Sequence, residues 1–362
     1  SHTGTTAYQH DARGHLVAAR RADGSVQHRA ADAVGNVYRT QDGRDRDYGR
    51  GGVLKRTPEA TYVHDVDGQL TEKVTADGRQ WRYAWDGTGQ LREVERPDGK
   101  VVRFAYDPLG RRVKKSFEGR TTEYVWDGND VVHELRAEGA TTWVFEPGTF
   151  APLAKVEDGR RYGVLCDHLG APTEMRDEAG ALAWRAQLDL YGVANDDVMR
   201  GGCPWRWPGQ YEDEETGLYY NRFRYYDPEG GRYVSEDPIG LGGGLAQYGY
   251  VHNPLAWLDP LGLTFQGPAR AATDWGHIFD RHWVEGAVAK LSGKKDVFGS
   301  LSRREIRNVV NEAWSLRKRV GTQGDRILYR AVVKNRLWSG VVEMWFNKST
   351  KTLETAYPKG CK

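Results

Sequence analysis

The stretch "YAWDGTGQL" at Tyr83–Leu91 has near copies on both sides: "YVHDVDGQL" from Tyr62, "FAYDPLGRR" from Phe104, "YVWDGNDVV" from Tyr124 and, further upstream, "YQHDARGHL" from Tyr8. Each sets an Asp three residues after an aromatic, and all but the copy at Tyr124 set a Gly three residues after the Asp. The later copies start 21, 21 and 20 residues apart, the length of a β-hairpin with its connection. Aromatic and β-branched residues alternate along a strand, Asp and Gly turn the chain, and the next strand pairs back. Stacked hairpins build a long sheet, which must curl or be capped to hide its edges. One Asp per repeat followed by Gly reads as a turn rather than a calcium loop, because calcium needs several carboxylates in close order. The Tyr and Trp residues read as sheet surface and core.

Composition agrees with strands and turns. Of 362 residues, 44 are Gly, 19 Tyr and 13 Trp, with 39% hydrophobic overall. That mix suits aromatic-faced strands rather than helix bundles, and the length suits two domains or one large repetitive one. No run approaches the ~20 apolar residues of a membrane span and the start shows no signal-peptide pattern, so the chain reads as soluble. Cys166, Cys203 and Cys361 offer neither CxxC spacing nor an even disulfide framework and read as incidental thiols.

The formal net charge of +2 hides an asymmetry. Residues 264–362 hold 19 Lys and Arg against 9 Asp and Glu, whereas residues 1–263 hold 33 against 41. An acidic body therefore precedes a basic segment of a size that usually has an anionic partner such as nucleic acid or an acidic protein.

The change of sign falls just after a pair of Asp-Pro-x-Gly motifs, Asp237–Gly240 and Asp259–Gly262, with eighteen residues between them. Taken alone, each motif reads most simply as a turn, since Pro fixes the backbone and Gly permits a tight bend. Two such motifs can also aim a pair of carboxylates inward. That is the chemistry of aspartic proteolysis, in which an ionised Asp takes a proton from water while its protonated partner polarises the scissile carbonyl.

The Y-x-x-D-x-x-G copies resemble the YD repeats of the Rhs family. "YGVLCDHLGAPTEMRDEAGALAWRAQLDLYG" (Tyr162–Gly192) and "GQYEDEETGLYYNRFRYYDPEGGRYVSEDPIGLGGGLAQYGYVHNPLAWLDPLGL" (Gly209–Leu263) resemble that family's core end, so the likeness covers residues 1–263. It implies a hollow β-shell, an aspartic autoprotease at the end of the core and a variable C-terminal toxin stored inside. On that resemblance Asp237 and Asp259 are the catalytic aspartates and the cut falls between Leu263 and Thr264. It further implies that the chain is the C-terminal part of a larger shell, with delivery by a type VI secretion system and a cognate immunity protein. The expected organisation is a YD-repeat segment at 1–160, the core end with its autoprotease at 161–263 and a toxin domain at 264–362. The expected fold class is mainly β, a hairpin array followed by a small α+β domain with N-terminal helices and an antiparallel sheet.

Within 264–362, "DWGHIFDRHWVEGAVAKL" and "SLSRREIRNVVNEAWSLRKRV" have helical spacing, and Ser302 with Glu305 makes a capping box. "RILYRAVVK" (Arg326–Lys334), "LWSGVVEMWFN" (Leu337–Asn347) and "TLETAYP" (Thr352–Pro358) read as strands. No Cys/His cluster, Walker loop or HExxH is present, so neither a metal nor a cofactor is expected. His277 and His282, with Arg281 between them, suit metal-free RNA cleavage, where His moves protons and cations stabilise the crowded phosphate. A packed or solvated His remains an equal reading. The order of elements resembles the superfamily of barnase, EndoU, colicin and RelE toxin ribonucleases, which implies His277 or His282, Arg330, Thr355 and Tyr357 as catalytic and Arg281 and Lys334 as phosphate contacts. Two alternatives are an ADP-ribosyltransferase, because "LYRAV" (Leu328–Val332) resembles that family's NAD-binding strand, although its Ser-Thr-Ser strand and paired acidic motif are missing and only the separate Glu343 and Glu354 remain, and a structural or adhesive YD-repeat protein.

Overall fold

The computed structural model describes residues 6–12, 15–198, 202–263, 318–323, 326–334, 339–347 and 352–359. Among the described residues the regular structure is β, with only two short 3-10 turns, Arg50–Gly52 and Gly240–Gly243. The chain divides into two compact units, residues 1–237 with 243–265, and residues 238–242 with 266–362.

In the first unit the repeats become hairpins. The turn that joins them explains the D-x-x-G spacing. Asp65 accepts the backbone N–H groups of Asp67 (3.0 Å) and Gln69 (2.9 Å) on one carboxylate oxygen. Asp86 does the same for Thr88 and Gln90, Asp107 for Leu109 and Arg111, and Asp167 for Leu169 and Ala171. The short carboxylate thus satisfies two turn donors that would otherwise face water. The Gly three residues on takes the left-handed conformation that closes the turn, φ +73° at Gly68 and +80° at Gly89. The reading of these Asp residues as turn formers holds. The copy at Tyr124 turns differently: Asp127 pairs directly with Asp130 across a two-residue loop.

Sixteen strands, from Asp47–Tyr48 to Ala194–Val198, pair with their sequence neighbours in one antiparallel sheet. It runs across residue 160 without a break, since Arg160–Cys166 pairs with strands on both sides. The first aromatic of each of the four later copies is buried, Tyr62, Tyr83, Phe104 and Tyr124, along with Leu70, Leu91, Val94 and Val102. The second aromatic reaches sideways: the Trp85 and Trp126 indoles and the Tyr106 hydroxyl donate to the carbonyls of Leu70, Arg112 and Leu91 at 2.7–2.8 Å. These polar handles let large rings stay in the sheet with their N–H or O–H satisfied.

Against this core packs a small four-stranded antiparallel sheet, Tyr211–Asp213, Leu218–Asn221, Arg224–Asp227 and Arg232–Tyr233, through Tyr211, Leu218, Tyr220 and Tyr225. Arg112, in the large sheet, is buried between the rings of Tyr124 and Tyr220 and pairs with Asp213.

In the second unit four strands, Lys318–Gln323, Arg326–Lys334, Ser339–Asn347 and Thr352–Lys359, form an antiparallel sheet in sequence order. The three expected strands are there. The second expected helix is corrected at its end, because Lys318, Arg319 and Val320 belong to a strand that pairs with Arg326–Lys334. The short alternation there yields to the neighbour that supplies its backbone hydrogen bonds, a tertiary override of local periodicity. The remainder of both expected helices lies outside the described residues.

Candidate active site

The hairpin Leu218–Asn221 and Arg224–Asp227 turns on Arg222, whose φ is +52°, a conformation that costs a non-glycine residue energy. Its guanidinium offsets this by donating to the carbonyls of Gly110 and Leu109, both at 2.8 Å. The turn sets Asn221 opposite Arg224 and sends both side chains into a fully buried site.

There the two Asp-Pro motifs meet. Nη2 of Arg224 lies 3.0 Å from Oδ2 of Asp237 and 3.2 Å from Oδ2 of Asp259. One guanidinium therefore bridges both carboxylates, a geometry suited to its forked donors. Its other nitrogens donate to the carbonyls of Gly262 and Gln247, and its plane lies 3.6 Å from the ring centre of Tyr233. All three charged residues are buried, Arg224 and Asp259 at 2% exposure and Asp237 at 8%. Two such carboxylates without the cation would repel strongly.

The segment after Asp259 bends back into the site. The Leu263 N–H donates to Oδ1 of Asp259 at 2.8 Å, and Leu263 is buried. A Cβ on Gly243 would collide with both Oδ2 of Asp237 and the carbonyl oxygen of Leu263. These two oxygens are therefore near neighbours, across a space that only glycine leaves open. Gly262, at φ +67°, lets the chain pass Asn221, whose carbonyl would be 2.6 Å from a Cβ there. The two ends of Leu263 thus face the two carboxylates: its N–H, in the peptide from Gly262, donates to Asp259, and its carbonyl oxygen, in the link to residue 264, lies near Oδ2 of Asp237.

Asp259 also accepts the hydroxyl proton of Tyr233 at 2.9 Å. Asn221 donates to Tyr233 Oη at 2.7 Å and to the Asp259 carbonyl at 2.8 Å. Burial first, then the charge of Asp259, holds the Tyr233 phenol well above its usual range, so it stays a donor.

Asp237, Asp259 and Leu263 are thus brought together. Arg224, Asn221, Tyr233 and Gly243 were not singled out from the sequence. For Asn221 and Arg224 the signal lay in "LYYNRFRYYD", where Asn and Arg interrupt an aromatic run that the fold buries at every position but Phe223. In the second unit, Arg330, Glu343 and Tyr357 occupy one row across three adjacent strands, and Thr355 pairs with Trp345. Lys334 pairs with Ser339 at the end of its strand. Thr264, His277, Arg281 and His282 lie outside the described residues. Among the described residues, no group of three or more His, Cys, Asp and Glu is arranged to hold a metal ion, and no helix is long and apolar enough to cross a membrane.

A family model described as Teneurin YD-shell matches residues 1–241. The chain belongs to the Teneurin YD-shell family. Curated relatives of this YD-shell chain include double-stranded DNA deaminase toxin A of Burkholderia cenocepacia, 34% identical over 297 residues, which cover 72% of this chain and 21% of that protein. The toxin protein Tse5 of Pseudomonas aeruginosa is 33% identical over 329 residues, 71% of this chain and 25% of its own. The probable deoxyribonuclease RhsA of Dickeya dadantii is 34% identical over 299 residues, with 72% and 21% covered. The YD-shell chain thus spans about a quarter or less of the length of these relatives. The crystal structure of TcdB2-TccC3-TEV matches at 19% identity with a TM-score of 0.43, covering 71% of this chain and 18% of that one. The Rhs resemblance read from the repeats and from Gly209–Leu263 is borne out.

Proposed function

We propose that this YD-shell chain cuts itself after Leu263 and so frees its basic C-terminal segment as a toxin. The observation that carries the reading is the pair of buried carboxylates bridged by Arg224, with the Leu263 N–H on Asp259 and the Leu263 carbonyl oxygen near Asp237. Asp237 stands at the carbonyl oxygen and takes the acid role, donating a proton to that oxygen. Asp259 takes the proton of the attacking water, whose oxygen bonds to the Leu263 carbonyl carbon. Asp259 then passes that proton to the Thr264 nitrogen, and as Asp237 takes back the hydroxyl proton the intermediate collapses, the C–N bond breaks and a Leu263 carboxyl and a Thr264 amine are left. Arg224 keeps the carboxylates at working distance while the negative charge moves between them.

The freed segment, 264–362, is proposed to be a metal-independent ribonuclease, using His277 or His282 with Arg330, Thr355 and Tyr357, and Arg281 and Lys334 on phosphates. Its excess of Lys and Arg supports a nucleic-acid substrate. Relatives named for deamination of double-stranded DNA, for deoxyribonuclease activity and for tRNA3(Ser)-specific nuclease activity keep DNA in view as well. A zinc deaminase is disfavoured by sequence, because its Cys-pair ligand set has no counterpart where Cys361 stands alone. The remaining partners are the rest of the shell, which would enclose the segment, a cognate immunity protein of acidic surface and a secretion apparatus, type VI on the family resemblance.

The test is intact mass of the full chain beside Asp237→Asn and Asp259→Asn, followed by incubation of the released segment with RNA or DNA in EDTA. A wild-type break after Leu263, lost in both variants, with RNA degraded despite EDTA and spared by His277→Ala or His282→Ala, is the expected result. An uncut wild type refutes the protease reading. DNA loss with intact RNA replaces the ribonuclease by a deoxyribonuclease, and a clean cut with both nucleic acids intact favours the ADP-ribosyltransferase.

A further inference from the structure

We propose that Tyr233, aimed by Asn221, is a positioning residue that fixes Asp259 as the ionised member of the aspartate pair. The inference rests on the self-cleavage reading and assigns what sets the division of labour within it. Tyr233 and Asn221 are both fully buried. The amide nitrogen of Asn221 faces two oxygens, Tyr233 Oη at 2.7 Å and the Asp259 backbone carbonyl at 2.8 Å. A carbonyl only accepts, so the Asn221 amide must present its NH2 group here, and its two protons serve the two oxygens. The Tyr233 oxygen, already accepting from Asn221, turns its single proton to its other partner, Oδ2 of Asp259 at 2.9 Å. The direction of the whole chain of hydrogen bonds is fixed by one backbone carbonyl.

Asp259 therefore receives donors on both oxygens, Leu263 N–H on Oδ1 and Tyr233 O–H with Arg224 Nη2 on Oδ2. Three donors on one carboxyl favour its charged form. The acid role falls to Asp237 at the Leu263 carbonyl oxygen. Tyr233 acts on Arg224 as well, because its ring supports the guanidinium plane at 3.6 Å.

The experiment follows self-cleavage of the full chain in time, by cell-free synthesis with a labelled pulse and dilution into buffers spanning roughly pH 5 to 9. Tyr233→Phe keeps the ring and removes only the hydroxyl. It is expected to slow the cut by roughly tenfold or more and to move the acid limb of the rate profile to higher pH, since the carboxylate has lost a donor. Asn221→Ala moves the limb the same way by less, because the hydroxyl can still reach Asp259 once released. Melting curves show whether each variant folds; should Tyr233→Phe fail to fold, the limb of Asn221→Ala decides. An unchanged rate and limb overturns the proposal, and so does slowing with the limb unmoved, which marks a merely structural role. Asp237→Asn and Asp259→Asn run in parallel. If they still cut, the protease reading itself falls; if they do not, a negative result at Tyr233 leaves that reading intact.

Discussion

Asp130 occupies the position that Gly holds in the other repeats, in the copy whose turn is a two-residue loop between Asp127 and Asp130. One of its carboxylate oxygens is buried without a hydrogen-bond partner, and burial, helped by the charge of Asp127, pushes its pKa up to about 6. The unfolded chain releases this proton near pH ~3.9, so ionisation penalises the folded state progressively as pH rises between those two values. Asp130→Asn is expected to raise the melting temperature above about pH 6 and to leave it unchanged below about pH 4, as calorimetry across pH would show. Single residues were legible in the sequence to an uneven degree. Asp237 and Asp259 announce themselves by a repeated motif, whereas Arg224, Asn221 and Tyr233 matter only because the fold brings Asp259 and its Pro260–Leu263 tail back onto them. That return is a long-range contact that no local spacing encodes.

Elements were far more legible, because each hairpin is closed by local chemistry. A carboxylate that satisfies two turn donors and a Gly at positive φ can be read from four residues, and the period of 20–21 residues then follows. Asp86→Ala should cost about 1–2 kcal/mol for the two backbone hydrogen bonds and the one from the Thr88 hydroxyl that it loses, measured as a lower urea midpoint with an unchanged m-value. The other Asp turns would be unaffected, since each is satisfied within its own loop. What the pattern could not fix is the end of the second expected helix. "RKRV" is too short to separate a helical from an alternating period, and pairing with Arg326–Lys334 made it a strand. The fifth repeat copy shows the same limit: its Asp is present, but without the Gly the turn takes another form.

At the scale of the molecule, the large sheet and the small one are held by charge buried among rings. Arg112 and Asp213 are 1% and 0% exposed, Lys115 adds a second cation at 3.2 Å, and Tyr124, Tyr211 and Tyr220 surround the guanidinium. Arg112→Met fills similar space but deprives Asp213 of its closer partner, and a loss of about 3–5 kcal/mol is expected in equilibrium unfolding. Self-cleavage would be the sensitive readout, because Tyr220 and Tyr225 beside Arg112 lie in the same hairpin as Asn221 and Arg224. The fold also says how often such a site can act. Leu263 is held by its own N–H on Asp259 and Gly262 by the Arg224 guanidinium, and neither bond involves the peptide link to residue 264. Were that link cut as proposed, these bonds would keep the severed end seated, with a new carboxylate beside the old pair, in the way of any second strand. The proposed self-cleavage would therefore have no turnover: the site would act as a fuse, spent in one event, and could free no more C-terminal segments than there are chains.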